Sequence, residues 1–557
     1  MKTIFQLAII ILSSASALSC DQELNEALAV SGSNRQELQI ALKHYRGDRQ
    51  KSKAVRYLIK NARYHYYSDT SDLQLLSSEY LISNVDSAFR RWESSPYLQH
   101  LSEDEFYESV LPYKVFPGQA PDDWRKRLSI PDDSRLNRVR KIDVLRWDPY
   151  VVLDRIQRTQ PKKYQGLNTT DCEERATITA LYGRALWIPV VEDYVPAWPK
   201  TNGFHAWNKC LSLYEKVPMK DASGYAKVFR KTFAPDKTLM RMKKDIGFIP
   251  AAFRDGFCRD VTNEYTRTCD IKVRVSGKNQ YAFLAVFNSD EWKVVDYTVQ
   301  NTGECLFKNV GLDVLYMAGV MKKNGEFIPA SAPFYVDRKG AVSYIDNLDS
   351  VYDVSLFRKY KALPHLYGLT RTIESPAFIV GSENKAFINA DTIAVVPASE
   401  PFDYCFTVER AEKYRYCRLC TSAKPRMFFA EIVFYDDEMG KLEAKTDCVK
   451  IVDNDLLTNE GVNNDNDITF DFGEPKTIKS GIVYRRADGN SVFPGHCYEL
   501  YLWRCGEWEL LGQQVAQTNQ VVFKAVPGGL YKIVDVDDGS QNGVFIWNDE
   551  EKRPVWL

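Results

Sequence analysis

Thr169-Thr-Asp-Cys172-Glu-Glu-Arg-Ala-Thr-Ile-Thr-Ala-Leu-Tyr-Gly-Arg-Ala-Leu-Trp-Ile-Pro-Val190, continuing to Asp193-Tyr-Val-Pro-Ala-Trp198 and Gly203-Phe-His205-Ala-Trp-Asn208, is the stretch on which the reading of this chain turns. Thr170 with Glu173, or Asp171 with Glu174, supplies a capping box. Either choice starts a helix with Cys172 in its first turn, where unpaired N–H groups and the positive dipole end favour thiolate. Cys172, Ala176, Thr179, Ala180 and Gly183 then share a face whose small side chains allow close packing on a sheet. Asp171 opposes thiolate formation, so this cysteine needs a base. His205 opens a strand-like run to Leu213 and is the only histidine between residues 101 and 364. A Cys–His pair within hydrogen-bond reach ionises to thiolate and imidazolium, and a third group orients the imidazole. The run turns near Tyr214-Glu215 and returns as Lys216-Val-Pro-Met-Lys220, so antiparallel pairing carries Asp221 back toward His205. Pro218 confines that return strand to an edge or a bulge.

The 557 residues suggest three or four domains. A content of 45% hydrophobic and 26% charged residues is globular and excludes a disordered chain. Lys+Arg 73 against Asp+Glu 74 leaves no electrostatic footprint for nucleic acid. Residues 21–155 carry helical periodicity: Leu38, Ala41 and Leu42 in Ser33–His44, and Ala54, Leu58 and Ile59 in Asp48–Asn61, with a capping box at Ser102-Glu103-Asp104-Glu105. From Asp260 to Ile345 the period becomes two, in runs such as Cys269–Val275, Tyr281–Phe287 and Trp292–Tyr297, as in an immunoglobulin- or fibronectin-like sandwich. After a polar connection at 348–363, a second all-β block runs to the C-terminus.

At the N-terminus Lys2, an apolar run from Ile4 to Leu12 and small residues form a secretory signal too short to span a bilayer. Its end, Ala17-Leu18-Ser19-Cys20, resembles a bacterial lipobox, which makes Cys20 the lipid-bearing residue and places the protein on the bacterial envelope, at the outer membrane or cell surface. Cys417-Arg-Leu-Cys420 is a single CxxC, insufficient for zinc. GxSxG, HExxH, GxxxxGK[ST] and GxGxxG are all absent.

The segment around Cys172 resembles the transglutaminase-like superfamily: a Cys-led helix, an Ile-Pro turn (Ile188-Pro189), a His-Ala-Trp strand (His205–Trp207) and a following strand ending in Asp. The resemblance implies a papain-like triad of Cys172, His205 and Asp221, with Trp187, Trp198 and Trp207 beside the substrate. Trp187 stands where the family commonly has glycine, and Asp171 where a small residue often precedes the cysteine. The segments Glu105–Tyr113 with Trp124-Arg125, and Ala226–Phe233, resemble parts of large bacterial envelope proteins carrying this core. The C-terminal block resembles a discoidin-like (coagulation-factor type C, galactose-binding-like) jelly roll through Phe378–Asp391, Arg415–Arg418, Ala430–Tyr435 and Phe470-Asp-Phe-Gly473. That resemblance implies a structural calcium ion at Asp453, Asp455 and Thr458 and glycan binding through rim aromatics, for which Tyr498, Tyr501, Trp503 and Trp508 are available. Alternation puts Tyr498 with Leu500 and Leu502 on a core face, and Tyr501 with Trp503 on the other.

The expectation is therefore a multidomain α+β protein: a signal peptide over 1–19, a helical region over 20–155 packing on the core, a transglutaminase-like α+β core over 156–255, a β-sandwich over 256–347 and a discoidin-like β jelly roll over 365–557. The activity implied is a cysteine hydrolase or acyltransferase acting on peptide or amide bonds of protein or glycoprotein substrates, requiring no cofactor. The rival reading is a non-catalytic glycan- or protein-binding lipoprotein on a degenerate scaffold.

Overall fold

The computed structural model describes residues 22–95, 98–128, 171–211, 224–276, 280–300, 304–346, 348–360, 376–397, 403–409, 412–423, 426–487, 489–539 and 543–557. They form a multidomain α+β protein rich in β-sandwich, divided into two compact units between Tyr344 and Ile345. Cys20 and Asp221 lie outside the described residues.

The first unit opens with helices α1 (22–30), α2 (Arg35–His44), α3 (Arg49–Ala62), α4 (Ser78–Ser94), α5 (Glu103–Ser109) and α6 (Trp124–Leu128). Their starts are set locally. Asp48 accepts from Lys51 N at 3.0 Å ahead of α3. Ser102 and Glu105 close a reciprocal capping box on α5, with Glu105 Oε2 accepting from Ser102 N at 2.8 Å. Leu38, Leu58, Ile59, Val85 and Phe106 of these helices share one hydrophobic cluster with Val191, Leu211 and Phe233 of the segment beyond.

That core is helix α7 (Cys172–Ala185) on a four-stranded antiparallel sheet of β3 (Val190–Val195), β4 (His205–Cys210), β5 (Phe229–Lys231) and β6 (Cys258–Asp260), ordered β4-β3-β5-β6, with α8 (Lys237–Ile246) alongside. The hairpin β1 (Tyr66–Tyr67) and β2 (Thr70–Ser71) sits between α3 and α4 in the chain. Beyond it a sandwich stacks β7 (Thr268–Arg274) and β10 (Glu304–Gly311) on a sheet of β8 (Tyr281–Asn288), β9 (Glu291–Val299), β11 (Val314–Met321), β12 (Phe327–Pro329), β13 (Phe334–Val336) and β14 (Val342–Tyr344). β8 is buried along its whole length. Ala282, Leu284 and Val286 enter the sandwich core, while Tyr281 and Phe283 join Phe253 and Met242 of the preceding core, so both faces are covered.

The second unit holds two hydrophobic cores where one jelly roll over 365–557 is expected. Strands Ala377–Ser382, Asp391–Val396, Lys413–Thr421 and Ile468–Thr477 make one sheet, facing another built on Met427–Tyr435 and Ser480–Arg485, with Ile379, Leu419, Phe434 and Phe470 between them. The segments Phe378–Asp391, Arg415–Arg418, Ala430–Tyr435 and Phe470–Gly473, on which the jelly-roll expectation rests, all fall within this sandwich. The second core, around Tyr498, Leu500, Ile533 and Phe545, is closed by Val351–Leu356 pairing antiparallel with Val521–Pro527. The stretch 348–363 is thus part strand rather than a polar connection, and the first sandwich is inserted between two strands of the second. Pairing across such a separation leaves no local mark in the sequence.

A close approach locks the core to the sandwich in the first unit. A Cβ on Gly311 would lie 1.7 Å from the Tyr225 carbonyl oxygen, whereas one on Gly47 meets nothing within 4 Å. Gly311→Ala is therefore expected to destabilise by about 1–3 kcal/mol, and Gly47→Ala to change stability by less than about 0.5 kcal/mol or to raise it, as measured by equilibrium denaturation.

Candidate functional site

Asp171 caps α7, its carboxylate accepting from Glu174 N at 2.8 Å, so Cys172 is the first helical residue. The helix lies on the sheet through small side chains. Cys172 and Ala176 pack with Tyr194, Ala206 and Phe229, and Asn208 Nδ2 donates to the Ala176 carbonyl at 2.8 Å. Side chains alternate along β4, and its register against β3 pairs Tyr194 with Ala206 and Val195 with His205. Ala206 and Asn208 therefore face the helix, and His205 with Trp207 takes the opposite face. Phe204, one residue earlier, is on the helix side, 5.9 Å from the Arg254 guanidinium that pairs with Glu173 of α7.

His205 stacks on Trp207 with ring centroids 5.8 Å apart, and burial lowers its pKa with no charged partner acting on it. The expected Cys172–His205 pair is thus not brought together: the sheet stands between the two side chains, and neither hydrogen-bonds to the other among the described residues. The physical reason is the strand's two-residue period, which sends His205 and Ala206 to different sides. Asp221, the expected orienting carboxylate, falls in 212–223, outside the described residues. In the described sheet, β4 pairs with β3.

The tryptophans expected beside the substrate separate as well. Trp198 and Trp207 lie on the His205 face with Tyr225 and Tyr265; Trp207 Nε1 donates to Tyr265 Oη at 3.1 Å. Beneath them Arg230 forks onto Asp193, both contacts 2.8 Å, and also reaches Glu264, while Tyr265 Oη donates to Asp193 at 2.5 Å. Burial works against the Arg230 cation, but these carboxylates outweigh it and raise its pKa. This is a satisfied, rigid network. Trp187 lies beyond the C-terminal end of α7, its ring 5.0 Å from the Arg125 guanidinium and 5.9 Å from that of Arg91. Its φ of +64° is left-handed, the conformation that glycine takes at a helix C-terminus, and Ile188 N closes the turn onto Gly183 O at 3.0 Å. A tryptophan in this conformation strains the backbone, offset by the two arginines beside the indole.

In the second unit, Asp453 and Asp455 hold their own loop. Thr458 Oγ1 donates to Asp453 Oδ2 at 2.8 Å, and Leu457 N donates to Asp455 Oδ1 at 2.9 Å. Glu431, which the sequence did not single out, lies buried beneath. It accepts from Asn454 N at 3.0 Å through one oxygen and has no hydrogen-bond partner for the other. These hard oxygens suit calcium chemically. Among the described residues the group that converges to within 4.8 Å is His496, Asp535 and Asp537. There the Lys359 ammonium, buried 3.0 Å from Asp535, already supplies a cation. Tyr498, Leu500 and Leu502 are fully buried as alternation requires, and Tyr501, Trp503 and Trp508 are half-buried on the other face, with Lys532 5.1 Å from the Tyr501 and Trp508 rings.

No known family matches this chain, and no curated protein matches it. Among solved structures, the major pilin subunit of Bacillus cereus is similar at 9% identity over 52% of this chain and 95% of that one, with a TM-score of 0.09, a level that carries no argument about fold or function. No described helix is long and apolar enough to cross a membrane.

Glu431 gives a pH test. Burial pushes its carboxyl up to about 7, with Asp453 and Asp455 adding to the rise and Asn454 N–H and Lys441 opposing it. Below about pH 4.5 the group is neutral folded and unfolded; as pH rises toward 7 the unfolded chain releases the proton first, so stability falls. Glu431→Gln is expected to flatten that fall and to stabilise the protein at pH 8 by about 1–3 kcal/mol, read from denaturation curves across pH.

Proposed function

We propose that this chain is a non-catalytic binding protein of the bacterial envelope, tethered through Cys20, in which a transglutaminase-like scaffold serves as support and the second unit recognises glycan. What carries the reading is the register of β4, which leaves Cys172 packed in a mainly apolar cluster with Ala176, Tyr194, Ala206 and Phe229, and His205 on the far face; a thiol nucleophile needs its base within hydrogen-bond reach. The glycan assignment is supported by the Tyr501, Trp503 and Trp508 rings on the outward face of one sheet. Aromatic faces stack on the apolar faces of sugars, and Glu499 and Gln513 beside them supply polar contacts.

The experiment is alkylation of Cys172 by iodoacetamide at mildly acidic pH, followed by peptide mass analysis. The expected rates are the same in the native chain and in His205→Ala; a drop of about tenfold or more in the variant would restore the activated pair and the hydrolase reading. In parallel, glycan-array binding by the full chain is expected to fall about tenfold or more in Trp503→Ala, since a sugar-stacking ring contributes on this scale.

A further inference from the structure

Beside the face of α7 that carries Cys172, a cavity of about 190 Å3 opens among Glu173, Ala180 and Arg184 of α7 and residues of β3, β5 and the 114–117 segment. Four cations line it. Lys114 is paired with Asp72 at 2.5 Å, Lys231 with Glu173 and Glu192, and Arg254 with Glu173 at 2.9 Å. Arg184 differs. It is 7% exposed, its Nε donates to the Val190 carbonyl at 2.7 Å, and its two terminal nitrogens meet no acceptor and no carboxylate within ion-pair distance among the described residues. Burial pulls its guanidinium down to about 10, with Glu108 and Glu192 acting on it only through space. A buried cation whose carboxylates act only from a distance, with none paired to it, is costly unless a ligand completes it.

The approach is also prepared for an anion. The cavity shares His65, Pro117, Asp255 and Phe257 with an open groove of about 810 Å3. On that groove Arg63 is paired with Glu26 and Lys237 with Glu23, and Arg241, Lys243 and Lys244 of α8 outnumber the remaining carboxylate of Asp255, leaving a net positive rim that draws anions in. Arg254 and Asp255, in the wall between the two spaces, both have left-handed backbones, at φ +46° and +56°. Such strain persists where the surroundings over-determine it.

We propose that this chamber binds a small organic monoanion, a carboxylate on an apolar body of about benzene size, with Arg184 as its anchor. A cavity of about 150 Å3 suffices for benzene, and Phe116, Pro117, Phe233 and Phe257 supply apolar wall. One guanidinium with no paired carboxylate matches one negative charge in the planar, forked geometry that suits a carboxylate. A phosphate dianion would bury a second charge without a partner. The site stands apart from the glycan-binding reading and does not depend on it.

The test is calorimetric titration of the full chain with benzoate, phenylacetate and phenylpropionate, against benzamide and inorganic phosphate. At least one carboxylate is expected to bind with millimolar affinity or better, the range open to a ligand of about ten heavy atoms. Benzamide and phosphate are expected to bind about tenfold more weakly or not at all. Arg184→Gln removes the anchor. Val115→Phe fills the chamber and leaves Arg184 in place, which keeps the test decisive if loss of the Val190 contact disturbs folding. Each variant is expected to weaken carboxylate binding about tenfold or more. Failure of all three carboxylates to bind the native chain overturns the proposal, as does benzamide or phosphate binding as well as they do, or carboxylate binding that survives in both variants.

Discussion

Asn208 donates to the carbonyl of Ala176, and on that bond the geometry of the N-terminal core depends. It ties the even-numbered face of β4 to the helix that begins at Cys172, and the sheet's alternation then assigns every other side chain. Tyr194, Ala206 and Phe229 go beneath the helix. Asp193, Val195, His205, Trp207 and Arg230 go to the other side, where a buried ion-pair network and four aromatic rings hold them. A slip of β4 by one residue would bring His205 toward Cys172, but it would also push Trp207 under α7, away from its bond to Tyr265, and take Asn208 off the Ala176 carbonyl. Both faces of the sheet therefore specify this register.

The two faces of the core therefore have different characters. The face toward the sulfur is mainly apolar, with Ala176 and Ala206 at the helix contact and Tyr194, Phe229 and Phe253 filling the rest. The other is aromatic and polar, and fully hydrogen-bonded at Asp193 and Arg230. Neither arrangement builds a nucleophile. A cation without a paired carboxylate lies instead further along α7, at Arg184, where the helix, β3, β5 and the loops at His65, 114–117 and 254–257 enclose a chamber that none of them could form alone.

Much of this was legible. The capping signals at Ser102 and Asp171 each start the helix they predict, because a cap needs only a side chain and an N–H three residues away. The two-residue period of 269–297 yields the sandwich strands, and Tyr498, Leu500 and Leu502 point inward as alternation requires. The separation of Cys172 from His205 also left a trace. Ala206 is the small residue in the His-Ala-Trp run, and a close-packed helix selects small partners, so Ala206 under the helix implies His205 on the far side. Attention to residue types favoured a triad; attention to parity favours a scaffold.

The sequence by itself determined the local elements: where helices begin, which stretches alternate and which side chains of a strand travel together. Those properties depend on neighbours within about four residues, so the linear order contains them. The tertiary structure alone decided which face met which partner: His65 stacked on Phe233, Val354 paired with Phe523 around an inserted sandwich, and Arg184 left without a carboxylate. These depend on residues brought together from distant parts of the chain, and the side on which each arrives is set by how the whole core packs.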